Sequence, residues 1–259
     1  MTRTLLVSDL HCGSHVGLNL PTVKLDKKVY ANPMNIVQRK VLLPFWDELC
    51  SSEPFDNIVV DGDLIDGANP KDGGMGVWTT DLKLQAAVAA EAILRIPLKP
   101  KGRIDVVEGT GYHGGHNPIM EEIVVTMINS KDKRDYAVAE YHDELDLNID
   151  GLKFNISHKL SNTFYRGTAL NRELMWDYIY KHDYIGLIRA HVHQYHRDDD
   201  GKRFAISLPG WKLRDRYAKS FGLKFIAQIG WAVLTVEDGE WDIRPRLRTM
   251  KNDTSVVKL

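Results

Sequence analysis

The chain contains little cysteine, with only Cys12 and Cys50 among its 259 residues. Two cysteines are too few for a disulfide framework, so we expect a reducing compartment. The sequence also lacks an apolar run of membrane-spanning length, and its first residues lead into a strand pattern rather than a signal peptide. These absences predict a soluble, cytoplasmic protein with no membrane partner.

No charge of either sign dominates, because 34 basic residues stand against 35 acidic ones and the formal net charge is -1. This balance does not indicate a nucleic-acid or anionic-membrane binder, although a local basic patch is compatible with it. Internal repeats, low-complexity tracts and an interdomain linker are also missing. The length suits one large α/β domain or two small ones, and we predict a single domain over residues 1–259.

Short apolar runs recur in the first half of the chain and are separated by helical patterns. The runs at 4–8, 57–60 and 104–107 are typical of buried strands. Polar residues follow each run directly, as they do in α/β sheets whose active site lies at the carboxyl ends of the strands. Helices are predicted to begin at Asn32-Pro33, to restart at Pro44, and to begin again after a cap at Thr79 or Thr80.

The second half is richer in strand patterns. Residues 145–156 alternate around an Asp150-Gly151 turn, which predicts a hairpin. A helix is predicted from about residue 168 to residue 180, followed by a buried strand at 184–188. Closing strands are predicted at 203–208, 231–236 and 241–248.

Five predicted strand ends carry acidic, imidazole or hydroxyl groups. Asp9 and His11 lie two apart, so in an extended segment their side chains point the same way. Burying several such groups unpaired would cost several kcal/mol each, which a shared metal centre avoids. The five strand ends carry Asp9 and His11; Asp63, with Asp66 nearby; Thr110 to His113; His158; and His191 with His193.

The number of these groups predicts two metals rather than one. Two aspartates and four histidines exceed the four ligands of a closed zinc site. A carboxylate such as Asp63 can bridge two ions about 3.5–4 Å apart, the separation used for in-line attack at phosphorus. Carboxylate and imidazole without thiolate fit two divalent ions from among Mn, Fe, Zn, Co and Ni.

The order of these motifs is similar to that of the calcineurin-like metallophosphoesterase family, from residue 5 to about residue 210. The matching segments are Asp9-x-His11, Gly62-Asp63, Gly109-Thr110 with His113, His158, and Ala190-His191-Val192-His193. The resemblance implies an α/β fold, a four-layer α/β/β/α sandwich of two mixed β-sheets flanked by helices. It also implies that Asp9, His11, Asp63 and His193 hold one metal and that Asp63, His158 and His191 hold the other.

The third motif departs from the family pattern, in which Asn precedes a catalytic His. This chain has Gly-Thr-Gly-Tyr-His over residues 109–113, so Thr110 takes the place of the Asn and His113 is taken as the counterpart of the histidine. A hydroxyl is a poor metal ligand. One ion would then bind more weakly, use water, or recruit His113, His116 or Asn117. Asp66 is predicted to be a helper or turn residue, and the variant motif resembles phage-type members.

The resemblance implies a metal-dependent phosphoric ester hydrolase, most simply a phosphodiesterase. Two cations would activate a shared water, and the hydroxide would attack phosphorus in line, with Asp63 as bridge and His113 stabilising charge or protonating the leaving group. A small phosphate ester or nucleotide-like substrate would meet Tyr165, Arg166 or Arg172, unless these form a plain loop and helix start.

Two other functions fit the same sequence. One is a DNA exonuclease or endonuclease, for which the basic cluster Lys212, Arg214, Arg216 and Lys219 could contact nucleic acid instead of forming a solvated face. The other is a metal-binding scaffold with weakened catalysis, which the altered motif at Thr110 allows. The sequence does not fix the metal, the substrate or the oligomeric state.

Overall fold

The computed structural model describes residues 1–114, 119–131, 138–160, 166–215 and 228–249. Within these ranges the strands are β1 Thr2–Ser8, β2 Thr22–Leu25, β3 Lys28–Ala31, β4 Phe55–Asp61, β5 Leu98–Val107, β6 Val138–His142, β7 Leu145–Ile149, β8 Leu152–Ser157, β9 Tyr184–Arg189, β10 His196–Asp199, β11 Phe204–Ser207, β12 Gln228–Glu237 and β13 Glu240–Thr249. The α-helices are α1 Leu43–Cys50, α2 Leu82–Leu94, α3 Gly111–Gly114, α4 Ile119–Lys131 and α5 Arg166–Tyr180.

The first sheet has the strand order β13-β12-β1-β4-β5-β6. Strands β1, β4, β5 and β6 run parallel, because helical connections carry the chain back between them, whereas β12 and β13 close the other side as an antiparallel pair. The second sheet has the order β10-β11-β9-β8-β7, with β8, β9 and β11 parallel at its centre. Both sheets are therefore mixed.

Three hydrophobic clusters hold these elements together. The largest joins one face of the first sheet to α1, α2 and α4, and it includes Phe45, Trp46 and Ile58. The second lies between the two sheets, where Val59 of β4 and Phe154 of β8 are both fully buried. The third packs α5 against the outer face of the second sheet. The predicted fold class, α/β with two mixed sheets flanked by helices, is confirmed.

Local details differ from the sequence prediction in three places. The predicted helix start at Asn32-Pro33 is wrong, because helical structure begins at residue 36, and Asn35 Oδ1 accepts hydrogen bonds from the backbone N–H groups of Val37 and Gln38. Helix α2 is capped by Asp81, whose Oδ1 accepts hydrogen bonds from the backbone N–H groups of Lys83 and Leu84, so the predicted cap at Thr79 or Thr80 is wrong. The stretch 12–32, in which the sequence analysis predicts no strand, contains the β2–β3 hairpin. That hairpin is mostly exposed, and its alternation of polar and apolar residues is too short to stand out.

Candidate metal centre

The register of the parallel strands brings their polar ends to one place. Ser8 is the Cα partner of Asp61, and Asp61 is in turn the partner of Val107, so β1, β4 and β5 end side by side. In the second sheet Ser157 pairs with Arg189 at the ends of β8 and β9. The residues that follow these five ends therefore meet along one edge of the two sheets.

The first group of converging side chains consists of Asp9, His11 and His193, whose ligand atoms all lie within 4.8 Å of one another. The Asp9 Oδ1 atom lies 3.1 Å from His193 Nε2 and 3.7 Å from His11 Nε2. The two Nε2 atoms are 3.2 Å apart. One carboxylate oxygen and two imidazole nitrogens thus face a common point, as a divalent ion requires.

The second group consists of Asp63, His158 and His191. Asp63 Oδ2 lies 3.2 Å from His158 Nε2 and 3.9 Å from His191 Nδ1. The same oxygen lies 3.9 Å from Nε2 of His11, which belongs to the first group. Asp63 therefore sits between the two groups, where a bridging carboxylate would have to be.

Two buried polar atoms of the predicted ligands have no hydrogen-bond partner among the described residues. They are Asp9 Oδ1 and His158 Nε2, and each belongs to a side chain at most 1% exposed. Leaving such atoms without a partner is unfavourable in a protein interior. Both atoms point toward the ligand groups described above, so the donor set fits bound cations, although His191 is nearly half exposed and leaves one side open to solvent.

The backbone of the centre is strained. Five of the six predicted ligands have a positive φ, an arrangement that costs about 1–2 kcal/mol for each residue with a side chain. Asp and His tolerate it better than most residues, and strain of this kind gathers at functional sites. The five are Asp9 (52°), His11 (46°), Asp63 (46°), His191 (69°) and His193 (51°).

Two glycines give the ligands room. At Gly62, with φ of 68°, a Cβ atom would lie 2.3 Å from His158 Nδ1. At Gly210, a Cβ atom would lie 2.8 Å from His193 Cγ and 3.0 Å from the Asp9 Cβ atom. The backbone of Trp211 also donates to the Asp9 carbonyl at 2.9 Å, which anchors the loop after β11 beside the centre.

Asp66 connects several parts of the site. Its Oδ1 atom lies 2.9 Å from Nδ1 of His11 and accepts a hydrogen bond from Lys212 Nζ at 2.8 Å, while its carbonyl lies 2.8 Å from Nδ1 of His113. A proton on Nδ1 of His11 leaves Nε2 free to face a metal. Lys212 is buried and also pairs with Asp215, so the expectation that it belongs to a solvated basic face is wrong.

Thr110, which stands where the family has Asn, contacts Asp63. Its backbone N–H donates to Asp63 Oδ1 at 2.6 Å, and its hydroxyl donates to the same oxygen at 2.9 Å. Because the Thr110 hydroxyl is engaged with the Asp63 carboxylate, it does not serve as an additional metal ligand. The second group then offers three candidate ligands, which are Asp63, His158 and His191. The first group offers Asp9, His11 and His193, and Asp63 lies nearby as a fourth.

His113 lies on α3, against the edge of the His11 ring, with ring centroids 4.5 Å apart. Burial first, and then the nearby His11, lower its pKa to about 4. With a proton on Nδ1 directed at the Asp66 carbonyl, Nε2 is the nitrogen available to a substrate.

The charges at the centre support one another in the metal-free protein. Burial opposes ionisation of Asp63 and Asp9, yet neighbouring imidazoles, above all His158 and His193, hold both carboxyl pKa values well below the usual range. In return, although burial opposes a charge on His158, Asp63 and Asp9 raise its pKa to about 10. In the metal-free centre a protonated His158 therefore faces ionised carboxylates, and a bound cation would displace its proton.

Only some of the other predicted site residues lie in the described part of the chain. Arg172 is exposed on α5, and the backbone of Arg166 begins that helix. Tyr165, His116 and Asn117 lie outside the described residues, as do Arg216 and Lys219 of the predicted basic cluster.

Three further residues support the centre and were not predicted. Gln85 of α2 accepts from the backbone N–H groups of Asp66 and Gly67 and so fixes the loop after Asp63. Asp61 lies beneath His158, and burial raises its pKa to about 7. Glu121, buried in the first turn of α4, lies against Gly109. Only Asp61 had a local signal, namely a second acid beside Gly62-Asp63.

The sequence matches no family model and no curated protein. Among solved structures, it is similar to a protein described as a novel archaeal phosphodiesterase, with 13% identity, 95% of this chain and 100% of that chain covered, and a TM-score of 0.47. It is similar to Vps29 complexed with zinc from Entamoeba histolytica, with 12% identity, 96% and 99% coverage, and a TM-score of 0.46.

A third similar structure is a predicted phosphoesterase from Streptococcus pneumoniae, with 10% identity, 96% and 98% coverage, and a TM-score of 0.38. At such identities and TM-scores none of these likenesses assigns a reaction to this chain. The chemistry has to follow from its own residues. None of its described helices has the length and apolar character needed to cross a membrane.

Proposed function

We propose that this protein is a dinuclear metal-dependent phosphoesterase, and most simply a phosphodiesterase. The observation that carries the proposal is the convergence of two ligand groups around Asp63, with Asp9 Oδ1 and His158 Nε2 buried there without hydrogen-bond partners in the described part of the chain. The order of the motifs along the chain, which resembles that of calcineurin-like metallophosphoesterases, supports the same function.

Asp9, His11 and His193 would hold one divalent ion, and Asp63, His158 and His191 the other, with Asp63 shared. When bound, two such ions supply charge that polarises a phosphoryl group and lowers the pKa of water. Thr110 fixes the orientation of the shared carboxylate through its two hydrogen bonds. Asp66 and the Asp61 carbonyl, 2.8 Å from Nδ1 of His158, orient the imidazoles.

The half-exposed His191 marks the side from which a substrate would enter. His113 faces this region as a largely neutral imidazole, because its pKa of about 4 leaves few protonated rings at pH 7. In the free protein it would accept a hydrogen bond at Nε2. To protonate a leaving group it would first need the negative charge of a bound phosphate to raise its pKa.

The nuclease alternative receives less support from the residues. Lys212, one of the four cations proposed for nucleic acid, is engaged by Asp66 and Asp215 and so is not available to a phosphate backbone. Nonspecific nucleic-acid binding rests on exposed cations that neutralise phosphates. The phosphodiester of a small substrate needs no such surface.

The test compares bis-p-nitrophenyl phosphate with p-nitrophenyl phosphate as substrates in the presence of Mn²⁺, Zn²⁺, Co²⁺ or Ni²⁺. We expect faster turnover of the diester, and we expect Asp63→Ala to lose nearly all activity and most bound metal. The matched control is Asp56→Ala, which removes a carboxylate paired with Lys99 at the opposite end of β4.

Three outcomes would count against the proposal. Retention of two tightly bound metals in the Asp63→Ala variant would contradict the shared-ligand assignment. Turnover of labelled single- or double-stranded DNA without turnover of either small ester would favour the nuclease. Metal binding without any turnover would favour a scaffold with weakened catalysis.

A further inference from the structure

A cavity of about 480 Å³ lies away from the candidate metal centre, on the outer face of the second sheet. Helix α5 packs over β9, β10 and β11, and the cavity lies between the C-terminal half of that helix and the outward side chains of β7, β8 and β9. Its size is within the range of small-molecule sites. None of its lining residues is a predicted metal ligand, although Arg189 lies two positions before His191.

One wall of the cavity is aromatic. Trp176 and Tyr180, one helical turn apart on α5, stack with ring centroids 5.5 Å apart and an angle of 18° between the rings. His182 continues the stack, and Tyr184 meets His182 edge to face. Trp176 is 49% exposed and Tyr180 is 64% exposed, so their faces are accessible. Accessible aromatic faces of this kind attract organic cations.

The opposite wall is acidic. Glu144 and Asp146 accept hydrogen bonds from the side-chain amide of Asn155, and within the described part of the chain neither is paired with a cation. Two more carboxylates line the cavity, Glu173, which pairs with Arg189, and Asp177. The cavity therefore carries more negative charge than its own arginine neutralises.

Asp177 adds an independent observation. The residue is 4% exposed, and its Oδ1 atom is buried without a hydrogen-bond partner among the described residues, while Oδ2 accepts from Arg203 at 3.1 Å. The Arg203 guanidinium also lies over the Tyr178 ring, 5.6 Å from its centroid. This helix thus already holds one guanidinium between a carboxylate and an aromatic ring.

The spread of the carboxylates distinguishes an organic cation from a metal. No three of the four bring their oxygens within 4.8 Å of one another, in contrast to the groups at the metal centre. A metal ion needs converging ligands, whereas a planar guanidinium pairs with carboxylates at its edges and stacks on aromatic faces. We propose that this cavity binds a guanidinium group, carried either by a small organic cation or by an arginine side chain.

In the test, the full chain is titrated with agmatine at low salt, and binding is followed by the heat released and by tryptophan fluorescence. The Trp176→Phe variant identifies the part of the fluorescence signal that comes from Trp176. Saturable binding that weakens with added salt is expected. Asp146→Asn should reduce the affinity about two- to fivefold, the range for an exposed ion pair. Asp150→Asn, an identical change in the turn of the same hairpin and outside the cavity, should leave it unchanged.

Companion titrations test the chemical class and the source. Putrescine, which carries ammonium groups in place of the guanidinium, should bind more weakly than agmatine. If agmatine binds more tightly than N-acetylarginine amide, the source of the guanidinium is a free organic cation. If the amide binds more tightly, the source is an arginine side chain of a peptide. The proposal is overturned by absence of saturable agmatine binding, by equal effects of Asp146→Asn and Asp150→Asn, by equal binding of putrescine, or by Ca²⁺ displacing agmatine at lower concentration. The metal centre plays no part in these outcomes.

Discussion

Asp66 shows how much of the metal centre depends on a residue that is not itself expected to touch a metal. Its carboxylate holds Nδ1 of His11 and the ammonium of Lys212, and its carbonyl holds His113. Burial opposes its ionisation, but the hydrogen bond with His11 and the charge of Lys212 outweigh burial and lower its pKa. The residue is thus an anion that fixes two imidazoles at once.

We expect Asp66→Asn to weaken metal binding by the group of Asp9, His11 and His193 about 10- to 100-fold, because the orienting charge behind His11 is lost. Binding by the Asp63 group should change much less. Calorimetric titration with Mn²⁺ or Zn²⁺ resolves the two sites. Asp56→Asn is the matched control, since Asp56 also accepts from a lysine and a backbone N–H. Equal weakening of both sites would show that Asp66 acts on the fold instead.

At this scale the sequence predicts the six converging side chains because each follows an apolar run directly. It does not predict Lys212, whose partner Asp66 is 146 residues away along the chain. It also does not predict Gln85, which lies in the first turn of α2, where nothing marks a polar residue as structural. Supporting residues of this kind are defined by contacts that only the folded chain creates.

At the scale of elements, the start of α4 places a buried acid beneath the third motif. Burial is the main reason that the pKa of Glu121 rises from 4.5 to about 7, and Asp63 adds to the effect. The folded protein then binds more protons than the unfolded chain between these two values. The free energy of unfolding should fall as pH rises through this window and stay low above it.

Asp61, whose pKa is also about 7, contributes to the same window. We expect Glu121→Gln to make the fall shallower in metal-free protein and to raise stability at pH 8 by up to about 3 kcal/mol, the free energy that corresponds to the Glu121 pKa difference. Urea unfolding at pH 4.5, 6 and 8 in the presence of EDTA measures it. The neighbouring Glu122 is exposed, so Glu122→Gln should leave the pH profile unchanged. A Glu121→Gln profile that falls as steeply as the native profile between pH 4.5 and pH 7 would contradict the assignment.

The elements with strong local patterns are the ones that the sequence predicts. The parallel strands β1, β4 and β9 are continuous apolar runs, and the β7–β8 hairpin turns at Asp150-Gly151 as expected. The β2–β3 hairpin was missed because its strands have only four residues each and are mostly exposed. Asp81 was missed as a cap because two threonines beside it are equally plausible caps by sequence.

At the scale of the whole molecule, sheet order is the least local feature. Strand β12 lies beside β1 although more than 200 residues separate them along the chain, and this pairing completes the sheet that carries Asp9. Gly210, which follows strand β11 of the second sheet, packs against Asp9 and His193. The centre is therefore assembled only when both halves of the chain have folded, which would couple the proposed metal binding to global stability.

This coupling predicts proton release when metal binds at pH 7. In the metal-free protein the pKa of His158 is about 10, so its imidazole carries a proton that a coordinating nitrogen must lose. We expect at least one proton to be released per chain and the metal affinity to rise about tenfold per pH unit for each displaced proton. Titration calorimetry in two buffers of different ionisation enthalpy counts the protons.

Saturating metal at about 100 times its dissociation constant should also add about 2.7 kcal/mol to the free energy of unfolding. In the proton-counting experiment, His182→Gln, which changes an exposed histidine outside both ligand groups, should leave the count unchanged. A count of zero in the native protein would contradict the charge arrangement of the centre.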